Sequence, residues 1–203
     1  MTKRILYLIL GTILASLGIA SVLHCGLGAF PITLANKAIA QWCGFDLAIA
    51  NFLTELIMLL LAIYYKEGFG WTCLCSMTVG SFFTSLFDKI LPYNPWLALL
   101  FFAMILGFAL QGKAGFGGNS TNILMEALVK QKGKSLVLIR SIIDGSFLII
   151  AWIAFPTQIT VWTLAFTFGT SIAIKYIYKL VKYEPADIKH DYLITRKSSH
   201  GHL

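Results

Sequence analysis

Two acids stand in apolar runs where a charge is costly. Glu55 lies within LAIANFLTELIMLLLAIYY and Asp144 within LVLIRSIIDGSFLIIAWIA. A charge at the centre of a bilayer costs roughly 2.5–3.5 kcal/mol, so an intramembrane acid is by default a site for an ion, a proton or a polar solute. Each acid has a polar companion four residues earlier, Asn51 and Arg140, on the same helical face. Arg140 and Asp144 can neutralise each other within one helix, whereas Glu55 finds no partner in its own. A carboxyl that gains and loses a proton suits ion coupling. The structural alternative is an ion pair at Arg140–Asp144 and a neutral, hydrogen-bonded core acid at Glu55.

Two glycine-rich stretches form the second set of candidates, HCGLGAFPIT from His24 and GKAGFGGNST from Gly112. Each has a Gly-x-Gly, Gly26 with Gly28 and Gly115 with Gly117, and each runs into a short helical pattern. Pro31 suits a first helical turn, where its missing N–H costs nothing. In the second stretch Asn119 or Ser120 suits the N-cap. The free N–H groups of such a terminus favour anions or polar ligand atoms. Tight turning and close helix packing explain the same glycines without a ligand. GFGGNST is not a phosphate loop of the Walker A kind, which ends Gly-Lys-Ser/Thr after a strand, and no βαβ unit surrounds it for a dinucleotide.

The elements that must hold these residues follow from composition. The chain has 203 residues, 58% hydrophobic and only 12% charged, against about 25% charged in a soluble domain. Six segments are long and apolar enough to span: about 5–23, 47–65, 71–91, 95–112, 136–155 and 158–179. The sequence therefore predicts an all-α polytopic membrane protein with a polar cytoplasmic tail over 183–203. Residues 31–42 and 120–131 are too short to span at 1.5 Å per residue and carry Lys37, Glu126 and Lys130, so they read as re-entrant or interfacial helices.

A shift of 89 residues brings the two halves into register without a gap. Gly18 falls on Gly107, Gly26 and Gly28 on Gly115 and Gly117, Gly44 on Gly133, Gly80 on Gly169, and Glu55 on Asp144. Each half, 1–91 and 92–182, then holds three spans. Three is odd, so the second copy enters from the opposite side: an inverted repeat, a common plan of secondary transporters. The opening MTKR and apolar run also resemble a signal peptide, with ASLGIAS as a cleavage region. Its counterpart at 95–112 speaks for retention of the segment.

Net charge is +7, and its distribution favours a membrane over nucleic acid. With the N-terminus inside, Lys3, Arg4, Lys66, Lys113, Lys130, Lys132, Lys134 and the tail's basic residues face inward, and only Lys37 and Lys89 face out. That asymmetry predicts both termini in the cytoplasm. Cys25 and Cys43 lie near the outer face, where a disulfide is chemically permitted; Cys73 and Cys75 read as packing residues. His24 reads as interfacial. Trp71, Trp96 and Trp162 with Tyr64, Tyr65, Tyr93, Tyr176 and Tyr178 read as an aromatic belt, and Lys175, Lys179 and Lys182 as snorkelling cations. No zinc-ligand spacing, hydrolase triad or cofactor motif is present, so an enzyme is not expected.

Gly18 with GLGAFP, Gly44 and Gly80, and Gly107 with AGFG, Gly133 and Gly169, resemble the YczE/YitT-type bacterial integral membrane proteins. In the YczE type an A-G-L-G-x-x-P-like loop opens each repeat and an acid follows in the next helix. Cys25 to Pro31 and Glu55 match; the second copy departs, with Asn119 and Ser120 where Phe30 and Pro31 stand and Asp144 for the more usual Glu. The resemblance covers nearly all of 5–180 and implies a six-helix inner-membrane protein. It implies no substrate, and the extra cytoplasmic domain of the larger YitT type has no counterpart in this sequence. The expectation is a small-solute transporter with a midplane site built from Glu55, Asp144, Arg140, Asn51 and the two loops. A substrate-capture subunit needing an energising partner and a non-transporting scaffold are the alternatives. The partners expected are the lipid bilayer and an unknown polar solute, with room for a homodimer.

Overall fold

The computed structural model describes residues 2–133, 136–180 and 192–194. Its helices are α1 (Thr2–His24), α2 (Pro31–Cys43), α3 (Leu47–Tyr64), α4 (Trp71–Cys75), α5 (Ser81–Ile90), α6 (Phe101–Ala114), α7 (Ser120–Lys132), α8 (Leu136–Ala154) and α9 (Val161–Leu180). A π-helical turn, Ser76–Gly80, joins α4 to α5, and a 3-10 turn, Pro95–Leu100, leads into α6. The fold is all-α apart from one short antiparallel pairing of β1 (Phe69–Gly70) with β2 (Tyr192–Ile194). Apart from that strand, the predicted tail lies outside the described residues, as do Lys134, Lys182 and the side chains of Lys175, Tyr178 and Lys179.

Among the described residues three helices are long and apolar enough to cross a membrane: Thr2–His24, Leu47–Tyr64 and Pro95–Ala114. The other three expected segments are helical too, but the one from Trp71 to Ile90 is interrupted by the π turn. The surface is that of a membrane-embedded protein. Ile9, Ile57, Leu60, Phe102, Leu106, Ile149 and Ile153 are exposed, while Thr12, Ser16, Asn36, Asn51, Thr54, Gln111 and Asp144 are buried. An apolar exterior of this extent would be driven out of water, and hydrocarbon is the solvent it suits.

Element bounds keep the spacing seen in the sequence. The bounds of α2 and α7 differ by 89 residues at both ends. All glycines with positive φ among the described residues fall into matching pairs: Gly26 at 72° with Gly115 at 69°, Gly28 at 126° with Gly117 at 88°, and Gly44 at 69° with Gly133 at 61°. Gly44 and Gly133 close α2 and α7 alike, their N–H groups returning to Ala40 O and Val129 O.

The centre is the crossing of α1 with α6, the most extensive helix contact. A Cβ on Gly18 would lie 2.5 Å from Met104 N, and one on Gly107 would lie 2.5 Å from Ala15 N. Small residues let the two backbones approach, which is how membrane helices gain packing where no hydrophobic force draws them together. Around this crossing α2 packs on α8 and α7 on α3, so each short helix is held by the opposite half. Two apolar clusters cap the arrangement, one with Met58, Cys73, Met77, Ile123 and Ile143, the other with Val22, Phe30, Leu34, Met104 and Phe166.

Candidate functional site

The short helices α2 and α7 start toward two adjoining cavities, of about 100 Å³ and about 90 Å³. Glu55, Ile32, Thr33 and Asn119 line both. The larger cavity also meets Asn51 of α3, the π turn and the polar face of α1; the smaller meets Pro31, Arg140 and Asp144. Ile19 and Phe108, which are 89 residues apart, also border both.

Glu55 reaches from α3 to the start of α7. Its carboxyl faces the backbone N–H and the hydroxyl of Ser120. The same hydroxyl lies 3.0 Å from Cys73 Sγ. Glu55 Oε2 is buried without a hydrogen-bond partner. Asn119, not Ser120, caps α7, its Oδ1 accepting from Asn122 N at 3.0 Å. Ser120 is thereby moved into the first helical position, with its own N–H left over for the acid.

Asp144 is handled differently. Arg140 Nε donates to Asp144 Oδ2 at 2.9 Å along one face of α8, and both side chains are largely buried. The pairing read from the i, i+4 spacing is present. Pro31 opens α2 where Ser120 opens α7, and it brings neither an N–H nor a hydroxyl to the acid. A guanidinium is the donor in their place.

Asn51, equivalent to Arg140, accepts from Asn36 Nδ2 at 2.7 Å, and Thr54 donates to Asn36 Oδ1 at 2.7 Å. Gln111 Nε2 donates to Thr12 Oγ1 at 3.0 Å, across the α1–α6 crossing. Asn36, Thr54, Gln111, Thr12, Ser16 and Ser81 escaped the sequence reading. Their signal was a polar residue recurring on the inward faces of apolar helices, which only a face-by-face reading would have found.

The loop glycines Gly26, Gly28, Gly115 and Gly117 line neither cavity; they turn the chain so that Pro31 and Asn119 reach it. At Gly28 a Cβ would lie 2.6 Å from the hydroxyls of both Thr160 and Thr163, on top of a φ that L side chains rarely adopt. Gly115 packs against Arg4, whose guanidinium donates to Ala114 O and Gly115 O, both at 2.8 Å. Tyr93, 89 residues after Arg4, covers Gly26 in the same way.

One end of the bundle carries a charge cluster. His24 Nε2 lies 2.9 Å from Asp88 Oδ1, and Lys37 Nζ lies 3.5 Å from the same oxygen. Asp46 caps α3 through Ala48 N at 2.9 Å. Hydrogen bonds from Lys89, Ser85 and Ala48 N hold its carboxyl down at about 2. At the other end Lys130 Nζ lies 2.6 Å from Glu67 Oε1. All four cysteines are free; Cys25 is buried with its thiol on Val22 O, so no bridge to Cys43 forms. Trp71, Trp96, Trp162, Tyr64, Tyr93 and Tyr176 are exposed as a belt requires, while Tyr65 is partly buried.

Residues 2–179 match a family of unknown function, DUF6198. The chain belongs to this family. No curated protein and no solved structure matches it. The match spans both halves and every cavity-lining residue named above, so the paired helix starts and the two acids fall within the family's own extent.

Proposed function

We propose that this DUF6198 protein is a plasma-membrane carrier of a small polar solute, with six spans in two inverted repeats, 1–91 and 92–182, and both termini in the cytoplasm. Kinship with the YczE/YitT type belongs to the same proposal. The observation that carries it is Glu55, at the wall common to both cavities and facing the first turn of α7 from the other half. Transporters of inverted-repeat plan bind at such a junction, with half-helix N-termini pointing at the ligand. Non-helical backbone at membrane depth is stable only where protein buries it or a cavity receives it, and α2 and α7 both start in that setting. The cavities also speak against a scaffold, which would need no space around a buried acid.

In this reading α2 and α7 are re-entrant, the solute sits between Glu55 and the Arg140–Asp144 pair, and one half rocks against the other. The test is a thermal-shift screen of purified protein against metabolites, repeated with Glu55→Gln. A ligand that stabilises the native protein and loses affinity in the variant is expected; a ligand of unchanged affinity removes Glu55 from the site. Topology is tested by single-cysteine labelling at positions 37 and 130. Labelling of both from the same side of the membrane would refute the inversion.

A further inference from the structure

The larger cavity has a chemistry of its own. Glu55 is the one ionisable residue on its wall; the others include Thr12, Ser16, Asn36, Asn51, Ser81 and Gln111. The two hydroxyls of α1, Thr12 and Ser16, have already spent their protons. Thr12 Oγ1 donates to Leu8 O at 2.8 Å, Ser16 Oγ donates to Gly80 O at 3.0 Å, and Gln111 Nε2 donates to Thr12. What those two hydroxyls still offer the cavity is oxygen lone pairs. Two further oxygens, Glu55 Oε2 and Ser81 Oγ, are buried with no hydrogen-bond partner. A buried polar atom left unpaired costs about 1–3 kcal/mol, and more if charged, so such atoms call for an occupant.

The backbone adds to this. In the π turn the N–H of Ser81 reaches back five residues to Ser76 O, which shifts the carbonyl ladder where Ser76, Gly80 and Ser81 meet the cavity. Such single-turn bulges in α-helices recur at functional sites. The volume of about 100 Å³ holds roughly three waters at about 30 Å³ each, or one small ion with part of its shell. Among the described residues no group of three His, Cys, Asp or Glu side chains exists, and one carboxyl with neutral oxygens suits a single positive charge better than a divalent ion.

We infer that the larger cavity is a site for a monovalent cation, an alkali ion or an ammonium-type group, held by Glu55, Ser81 and neighbouring hydroxyl and amide oxygens. The smaller cavity, with Arg140 and Asp144, is left to the solute. This rests on the carrier reading and gives Glu55 its coupling role: one carboxyl touches both occupants.

The experiment is thermal unfolding of the purified full chain in N-methyl-D-glucamine chloride, titrated at constant ionic strength with Na⁺, K⁺, ammonium or methylammonium. A saturable rise in Tm with at least one of them is expected. Ser81→Ala should weaken its apparent affinity about tenfold, and Glu55→Gln should abolish it. If Glu55→Gln does not fold, Glu55→Asp serves, with an expected change in the order of preference among the four cations. Alkali ions and ammonium-type groups are distinguished by which of them saturates. No cation-specific shift, a shift undiminished in both Ser81→Ala and the Glu55 variant, or a Tm that follows pH alone would each overturn the cation site. A metabolite that binds equally well in N-methyl-D-glucamine and Na⁺ would overturn it while leaving the carrier reading intact. A saturable cation shift with no metabolite bound would uphold the site and count against the carrier.

Discussion

Around Glu55 the protein uses the first turn of a helix from the opposite half; around Asp144 it uses a guanidinium from the same helix. The acids sit at equivalent places, and so do the helices that start beside them. The difference traces to two pairs of equivalent positions. Ser120 supplies an N–H and a hydroxyl, and Pro31 supplies neither. Asn51 stands where Arg140 stands, free to join Asn36 because Glu55 needs no cation. A near-symmetric backbone has thus been given one site without a fixed cation and one with a fixed pair. Under the proposed carrier reading, that asymmetry would keep an ion and a solute in neighbouring cavities from being interchangeable.

The comparison can be broken most severely at Arg140. Arg140→Ala leaves Asp144 buried and unpaired and should cost about 3–5 kcal/mol, read from unfolding in detergent. The equivalent change, Asn51→Ala, removes one neutral hydrogen-bond partner and should cost about 1–2 kcal/mol. Equal costs would mean that the two positions are not differently employed.

Ser120→Pro copies the start of α2 onto α7. Proline is tolerated at the first helical position, so the helix itself should survive. The expected loss of about 2–3 kcal/mol comes from Glu55 losing both donors, and it should vanish in the double variant with Glu55→Gln. Pro31→Ser, the reverse exchange, should stay within about 0.5 kcal/mol. A single variant Ser120→Pro as mild as Pro31→Ser would show that the helix start does not serve the acid.

Gly44→Ala and Gly133→Ala sharpen the symmetry of the scaffold. Neither position has an atom within 4 Å of a new Cβ, so each should lose only the left-handed backbone penalty of about 1–2 kcal/mol. Matching values are expected; a large difference would mark one helix end as packed.

The smallest effect lies at Asp46. Asp46 is held at about 2 in the folded chain, against 3.8 for the free side chain. Its contribution is present above pH 3.8 and lost as pH falls through about 2. Lys89 is largely exposed, so solvent screens the pair and the gain is under about 1 kcal/mol. Tm measured between pH 4 and 2 should fall slightly more for the native chain than for Asp46→Asn. Parallel curves would remove the contribution.

Much of this was legible in order along the chain. The Arg140–Asp144 pair follows from a four-residue spacing, because an α-helix brings such residues to one face. The starts of α2 and α7 follow from Pro31 and from the Asn-Ser run. The partner of Glu55 was not legible: Ser120 is remote in sequence, and nothing local says which helix start an acid will meet. The π turn was equally hidden, since between Cys75 and Ser81 the sole breaker is Gly80, and a single glycine in an apolar helix does not by itself mark a bulge. Ser120 was readable as a cap only because capping is local; that Asn119 takes the cap and frees Ser120 is a choice made by Glu55 arriving from α3.

By itself the sequence determined an apolar, all-helical chain with paired glycines and paired acids, because hydropathy, helical period and the special conformations of glycine and proline act over a few residues. The tertiary structure alone decided which acid meets which helix start and where the cavities open. Those depend on α1 crossing α6 closely enough to bring each short helix against the opposite half, and that approach is set by side-chain volumes meeting across the crossing, which no local rule contains.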